Sequence, residues 1–288
     1  MPPPKEETLT LNEQTMNVFK KKGYTIQKKL SEGAFGQVFK GTYTKTEQDV
    51  AIKVMFLEKL DAGYKDKFWP RELEALISIR HEHVISIFDI IKADGKLFIF
   101  MEYANGGDLA DYLKKNGAMP ETIACYWFTQ ATQALAYMHD KVGMAHRDIK
   151  IDNLLLHNHK VKVTDFGFAR QVVNKKGEVI LSGTFCGTLP YQSPEIIAQK
   201  MYDPIKADCW AMGVTLFCML NNKFVFHYDN EEEMLKEQTS GADFVKSRYT
   251  RKFPADLRDL QEKLLHPSEA KRLSMAQALK HPWIVRKG

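Results

Sequence analysis

The nine residues Ala145-His146-Arg147-Asp148-Ile149-Lys150-Ile151-Asp152-Asn153 place six polar or charged side chains directly before the apolar run Leu154-Leu155-Leu156. Taken alone, such a stretch reads as a solvated turn ahead of a buried strand, since loops are normally polar. Three further stretches raise the same question. Leu30-Ser31-Glu32-Gly33-Ala34-Phe35-Gly36-Gln37-Val38 is a small-residue turn whose glycines would let backbone N–H groups approach phosphate oxygens, because no Cβ intervenes. In Val50-Ala51-Ile52-Lys53-Val54, strand alternation puts Lys53 on the face of Ala51, opposite Val50, Ile52 and Val54. Lys162-Val163-Thr164-Asp165-Phe166-Gly167 sets an acid between an apolar strand and an aromatic-glycine pair. Each has an ordinary reading: a hairpin, a solvent-facing lysine, a strand-end turn.

The elements that carry these stretches fall into two textures. From Tyr24 to about Tyr103 short β-rich runs dominate: 37–43, 48–56, and the pair 84–91 and 96–101 joined by a turn at Asp94-Gly95. One helix is predicted inside this half, over residues 64–80, with Trp69, Leu73, Leu76 and Ile77 forming an apolar stripe and Pro70 marking its first turn or a kink. After Asn105-Gly106-Gly107 the period becomes helical, over 108–116, 120–139, 206–220, 255–265 and 274–281, interrupted by a hairpin at 154–163. The reading is α+β: a small β-rich lobe with one main helix, a short hinge, and a larger, mainly helical lobe. A join of this kind is a common place for a ligand cleft.

Composition narrows the class. The 288 residues are 44% hydrophobic and 27% charged, which is ordinary for a soluble globular protein. Net charge is +5, and the tight basic runs Lys20-Lys21-Lys22 and Lys28-Lys29 read as a solvated face, so neither nucleic acid nor membrane is expected as a partner. Cys125, Cys186, Cys209 and Cys218 show no CxxC spacing, which suggests neither zinc nor disulfides and fits a reducing, cytoplasmic setting. The start, MPPPKEETLT, has no apolar core for a secretory signal, and the longest apolar run, 209–220, is too short to cross a bilayer.

The stretches gain meaning from their order: a glycine loop, Val-Ala-Ile-Lys, His-Arg-Asp with Asn five residues after the Asp, Asp-Phe-Gly, and Pro194-Glu195. That ordered set is the protein-kinase signature. From Tyr24 to Trp283 the chain resembles a eukaryotic protein kinase of the Ser/Thr type. The segments Lys22-Gly23-Tyr24, Phe68-Trp69-Pro70-Arg71-Glu72-Leu73-Glu74, Leu181-Ser182-Gly183-Thr184-Phe185-Cys186-Gly187 and the ending after His281-Pro282-Trp283 resemble the testis-specific serine/threonine kinases, near the calmodulin-kinase group, whose roles lie in sperm development. The implied organisation is an N-terminal tail over 1–23, the N-lobe and hinge over 24–104, the C-lobe over 105–284 and a short tail over 285–288.

The resemblance implies ATP and Mg2+ as cofactors and assigns residues to them. Leu30, Gly33, Gly36, Val38, Ala51 and Leu155 would surround the nucleotide, Met101 would be the gatekeeper, and the backbone of Glu102 and Ala104 would bond the base. Lys53 would contact the α- and β-phosphates and pair with a helix glutamate, Glu72 being chosen over Glu74 because it lies nearer the apolar stripe. Asn153 and Asp165 would hold the metal, Asp148 would orient the incoming hydroxyl and accept its proton, and Lys150 would steady the γ-phosphate. Thr188 would reach Asp148 and Lys150. Glu195 would pair with Arg272, Asp208 would anchor the catalytic-loop backbone, and Leu76, Ile87, His146 and Phe166 would form a packed column. Ser31 and Ser193 depart from the usual glycine and alanine of the family.

Expected partners are protein substrates carrying Ser or Thr, with arginine two or three residues before the target held by Asp108 or Asp152. Thr184, eleven residues before Glu195, is the expected activating phosphorylation site, its phosphate received by Arg147 and Arg170. A monomer is expected. A pseudokinase scaffold and a small-molecule phosphotransferase are the alternatives. Retention of Lys53, Glu72, Asp148, Asn153 and Asp165 argues against the first, and the long segment 165–195 argues against the second.

Overall fold

The structure, a computed structural model, describes residue 9 and residues 11–33, 36–59 and 76–287. Two compact units divide it: residues 1–80 with 85–104, and residues 81–84 with 105 onward.

The smaller unit is built on five antiparallel strands, β1 (Tyr24–Gly33), β2 (Gly36–Tyr43), β3 (Gln48–Phe56), β4 (Ile87–Ala93) and β5 (Lys96–Glu102), in the order β1-β2-β3-β5-β4. Alternation sets the register: Val50, Ile52 and Val54 of β3 are fully buried on one face, packed with Phe39, Phe98 and Phe100. The β4–β5 turn has Asp94 at φ 50° and Gly95 at φ 65°, the paired positive angles that a two-residue hairpin matching strand twist requires. The strand expected over 84–91 starts only at Ile87. Val84 instead bridges Val163 in the larger unit, where Val163 N–H donates to His83 O at 2.9 Å.

The segment expected to be a tail through residue 23 carries a ten-residue helix, Glu13–Lys22. Asn12 caps its start, accepting from Thr15 N–H at 2.8 Å, and Gly23 in the left-handed region ends it. Glu13 in the first turn and Lys20, Lys21 and Lys22 in the last complement the helix dipole. Its tertiary anchor is Phe19, 3% exposed, which meets Phe98 and Phe100 edge-on at 5.0 Å each. The predicted helix over 64–80 lies mostly outside the described residues; residues 76–78 are helical, and Leu76 is buried.

The larger unit is helical around one central element, Pro204–Asn221, in which sixteen residues from Pro204 to Asn221 are buried. Asp203 caps it, accepting from Ile205 and Lys206 N–H, and Asn222 at φ 50° terminates it. Glu121–Tyr137 packs alongside, and Leu109–Asn116 begins at its cap Asp108. The predicted hairpin appears as β7 (Leu154–His157) and β8 (Lys160–Val163), and two further two-residue strands, β6 (Met144–Ala145) and β9 (Arg170–Gln171), pair with each other. Glu231–Thr239 and Ala242–Ser247 are helices that hydrophobic periodicity did not show, because the first is dominated by polar residues and the second is only six residues long.

Candidate functional site

A buried carboxylate organises the charged loop. Asp208, 1% exposed on the central helix, accepts from His146 N–H and Arg147 N–H at 2.7 Å each and faces His139 Nε2 at 2.9 Å. A buried charge needs such partners to offset its lost hydration. They in turn hold Arg147 at φ 69°, a left-handed conformation that a residue with a Cβ adopts only when its surroundings over-determine it. The turn that follows presents Asp148.

Asp148, 8% exposed, is contacted from four directions. Thr188 N–H and Thr188 Oγ1 donate to its Oδ1 at 2.9 and 2.7 Å. On the other oxygen, Asn153 Nδ2 approaches Oδ2 at 3.2 Å while also donating to Asp148 O at 2.8 Å, and Lys150 Nζ lies 3.2 Å away. Lys150 Nζ donates to Thr188 Oγ1 at 2.8 Å. The expected group of Asp148, Lys150, Asn153 and Thr188 is therefore one hydrogen-bonded cluster. With Nδ2 of Asn153 committed to Asp148, the amide oxygen is the atom directed elsewhere.

Asp165 follows β8, and Thr164 N–H donates to Asn153 O at 3.0 Å, which ties the end of β8 to the charged loop. Asp165 sits in the left-handed region, φ 60° and ψ 74°, and its Oδ1 accepts from Gly167 N–H at 3.2 Å. His146 Nε2 lies 2.8 Å from Thr164 O, and its ring packs against Phe166 at 5.4 Å. Leu155 is half-buried on β7.

In the smaller unit Val38 pairs with Lys53 across β2 and β3, and Ala51 pairs with Met101 across β3 and β5. Gly33 and Gly36 pair where β1 meets β2, on either side of residues 34–35, which are outside the described set. A Cβ on Gly36 would sit 1.9 Å from Val54 O, so the close strand approach itself demands glycine. Leu30, on β1, is exposed. Glu102 N–H donates to Ser86 O at 2.9 Å, and Ala104 ends the unit. Glu72 and Glu74 lie outside the described residues.

Arg272 and Glu195 form a bidentate buried pair at 2.6 and 3.0 Å, and the guanidinium also lies over the Trp210 ring at 5.0 Å. Thr184 is exposed, and its carbonyl accepts from Arg147 Nη2 at 3.0 Å and Tyr202 Oη at 2.9 Å. Arg147 Nε has no partner among the described residues. Asp108 spends Oδ1 on its helix cap, donated by Asp111 N–H at 2.8 Å, and burial raises its pKa; Asp152 is exposed. Burial also pushes up the Cys186 thiol, beside Arg147. His139 and Tyr202 were not anticipated. Their contacts reach 69 and 18 positions along the chain, where spacing carries no signal.

Comparison with known proteins gives the same outline. Residues 24–284 match the family model for the protein kinase domain. Human testis-specific serine/threonine-protein kinase 3 is 35% identical over 264 residues, covering 91% of this chain and 96% of the relative. Human testis-specific serine/threonine-protein kinase 4 is 31% identical, over 92% of this chain and 83% of the relative. CBL-interacting protein kinase 11 of rice is 34% identical, over 90% of this chain and 51% of the relative. Among the described residues no helix is long and apolar enough to cross a membrane.

Proposed function

Because this chain belongs to the protein kinase family, and is a serine/threonine enzyme that moves the γ-phosphoryl group of ATP to protein hydroxyls, we propose that Asp148 is the residue that receives the substrate hydroxyl. The observation that carries this is the cluster around its carboxylate. Thr188 holds one oxygen with two hydrogen bonds, while Asn153 and Lys150 bracket the other. A carboxylate so fixed is preorganised to orient a hydroxyl and accept its proton late in the transfer.

The residues present fit Mg-ATP. Asn153 Oδ1 and the Asp165 carboxylate are the hard oxygen donors that magnesium takes, and the backbone of Asp165, already turned left-handed, gives its carboxylate a defined aim. Bound magnesium supplies charge neutralisation for the phosphate oxygens. Lys150 stabilises negative charge on the γ-phosphoryl oxygens from beside Asp148. Lys53 serves the α- and β-phosphates with Glu72 as its partner, and Leu30, Gly33, Gly36, Val38, Ala51 and Leu155 line the nucleotide, with backbone groups of Glu102 and Ala104 on the base.

Thr184 is the proposed activating site, with Arg147 and Arg170 receiving its phosphate. The exposed Thr184 and the Nε of Arg147, which has no partner among the described residues, support this reading. Asp152, exposed, is the stronger acceptor for a substrate arginine, because the Asp108 carboxylate is partly used by its cap. The likeness to testis-specific kinases supports a role in male germ cells, and four free cysteines support a reducing cytoplasmic setting. We take the enzyme to act as a monomer.

The test is transfer of labelled phosphate from Mg-ATP to a Ser/Thr peptide library. Wild type should phosphorylate peptides with arginine at −3 or −2, and Asp148→Asn should lose at least about a hundredfold in turnover. Near wild-type turnover by Asp148→Asn would remove the assignment, and a library profile without basic selection would remove the arginine rule alone.

A further inference from the structure

The peptide group joining Gly187 to Thr188 is gripped from both sides. Its N–H donates to Asp148 Oδ1 at 2.9 Å, and its carbonyl accepts from Gln192 Nε2 at 3.0 Å. A peptide unit is planar, with C=O and N–H pointing opposite ways along one plate, so holding one end aims the other. Gly187 sits at φ 98°, and an added Cβ would lie 2.7 Å from Arg147 O. The plate therefore lies against the catalytic-loop backbone with no side chain of residue 187 to steady it.

Gln192 is itself anchored. Its N–H donates to Leu189 O at 3.0 Å, and its carbonyl accepts from Gln238 Nε2 at 2.8 Å. Gln238 stands on the helix Glu231–Thr239, 1% exposed, and its Oε1 has no partner among the described residues. A buried amide oxygen without a partner is destabilising, and leucine would avoid that cost while filling similar space. What leucine lacks is the donor to Gln192. Gln238 thus fixes the backbone of Gln192, and the separate side-chain amide of Gln192 donates to the Gly187–Thr188 peptide, whose own N–H donates to Asp148.

We propose that Gln192 is a positioning residue for phosphoryl transfer: it holds the Gly187–Thr188 peptide so that Thr188 orients Asp148, and Gln238 is its anchor. This rests on the assignment of Asp148 as the residue that receives the substrate hydroxyl. The interaction reaches the reacting group and not the substrate's own contacts, so its loss acts on kcat and leaves KM for peptide and ATP alone.

Gln192→Leu removes the donor at similar length. Its kcat on a phosphorylatable peptide should fall about tenfold, or about 1.4 kcal/mol, the scale of one hydrogen bond, with both KM values within about twofold of wild type. Gln192→Arg restores an N–H donor and should recover most of that loss, which a purely structural role would not produce. Gln238→Leu should lower kcat in the same direction by about threefold. A Gln192→Leu kcat within twofold of wild type, a loss confined to KM, or an Arg variant no better than Leu would each overturn the proposal. Asp148→Asn is assayed in parallel. If it keeps turnover, the underlying assignment fails; if it is inactive while Gln192→Leu is unaffected, the clamp alone fails.

Discussion

Replacing Thr188 with valine isolates one hydroxyl. Valine keeps the volume and the backbone N–H that donates to Asp148 at 2.9 Å, and deletes two bonds: Oγ1 to Asp148 Oδ1 at 2.7 Å and Lys150 Nζ to Oγ1 at 2.8 Å. Both involve ionised partners, for which a net contribution of about 1.5–3 kcal/mol each is typical. The two ends are not equal. Asp148 is 8% exposed and bears its loss in full, whereas Lys150 is 21% exposed, keeps Asp148 Oδ2 at 3.2 Å and can recruit water. Counting the first bond and discounting most of the second gives about 2–3 kcal/mol of lost positioning, or a fall in kcat of roughly 30- to 160-fold. Steady-state transfer to a peptide at saturating Mg-ATP measures it, and Thr188→Ser should return to within several-fold of wild type. If Thr188→Val turns over within threefold of wild type, the hydroxyl does not hold Asp148 during transfer and the cluster is structural only.

Arg272→Leu should destabilise the larger unit by about 3–5 kcal/mol, because it strands the buried Glu195 carboxylate. A drop of roughly 10 °C in the thermal midpoint is the expected reading, and a drop under about 2 °C would contradict it. Phe19→Ala empties the contact with Phe98 and Phe100 and should remove about 3 kcal/mol from the smaller unit, read as a lower urea midpoint with an unchanged slope. Thr184→Ala should lower peptide phosphorylation, and phosphatase treatment should inhibit wild type but hardly affect the variant; equal activity of the variant and fully phosphorylated wild type would show that the loop is ordered without the phosphate.

Legibility in the sequence depended on how local the physics was. The β4–β5 turn was readable because Asp94-Gly95 is a pair that readily takes both positive φ angles, and β3 was readable because Val50, Ile52 and Val54 alternate. The helix Glu13–Lys22 escaped the pattern search. Its caps Asn12 and Gly23 and its polarised charges are plain in the chain, yet its buried side chains are only Thr15 and Phe19, of which Phe19 alone is apolar, too little for a stripe. In the site, Asp148, Asn153 and Lys150 lie within six residues and announce themselves together. The roles of Gln192 and Gln238 do not: one acts through its side chain on a peptide plane and through its carbonyl on a distant helix, and neither contact leaves a periodic trace. The strand beginning expected at Val84 shows the reverse error, since a β-branched run is compatible with a strand in either unit and only tertiary pairing decides.

The closure of the smaller sheet by Phe19 has a consequence for synthesis. Translation delivers the first helix and strands β1 to β3 well before β5, yet β3 finds its second neighbour, and Phe19 its aromatic seat, only when β5 has been made. Until Phe98 and Phe100 leave the ribosome, β3 presents an unpaired edge and the apolar faces of Val50, Ile52 and Val54 to the surrounding medium. The long sequence separation of these contacts makes their closure slow. During that interval the exposed edge and apolar face are of the kind that aggregates, and substitutions that delay β5 pairing would lower yield in the cell without altering the stability of the finished enzyme.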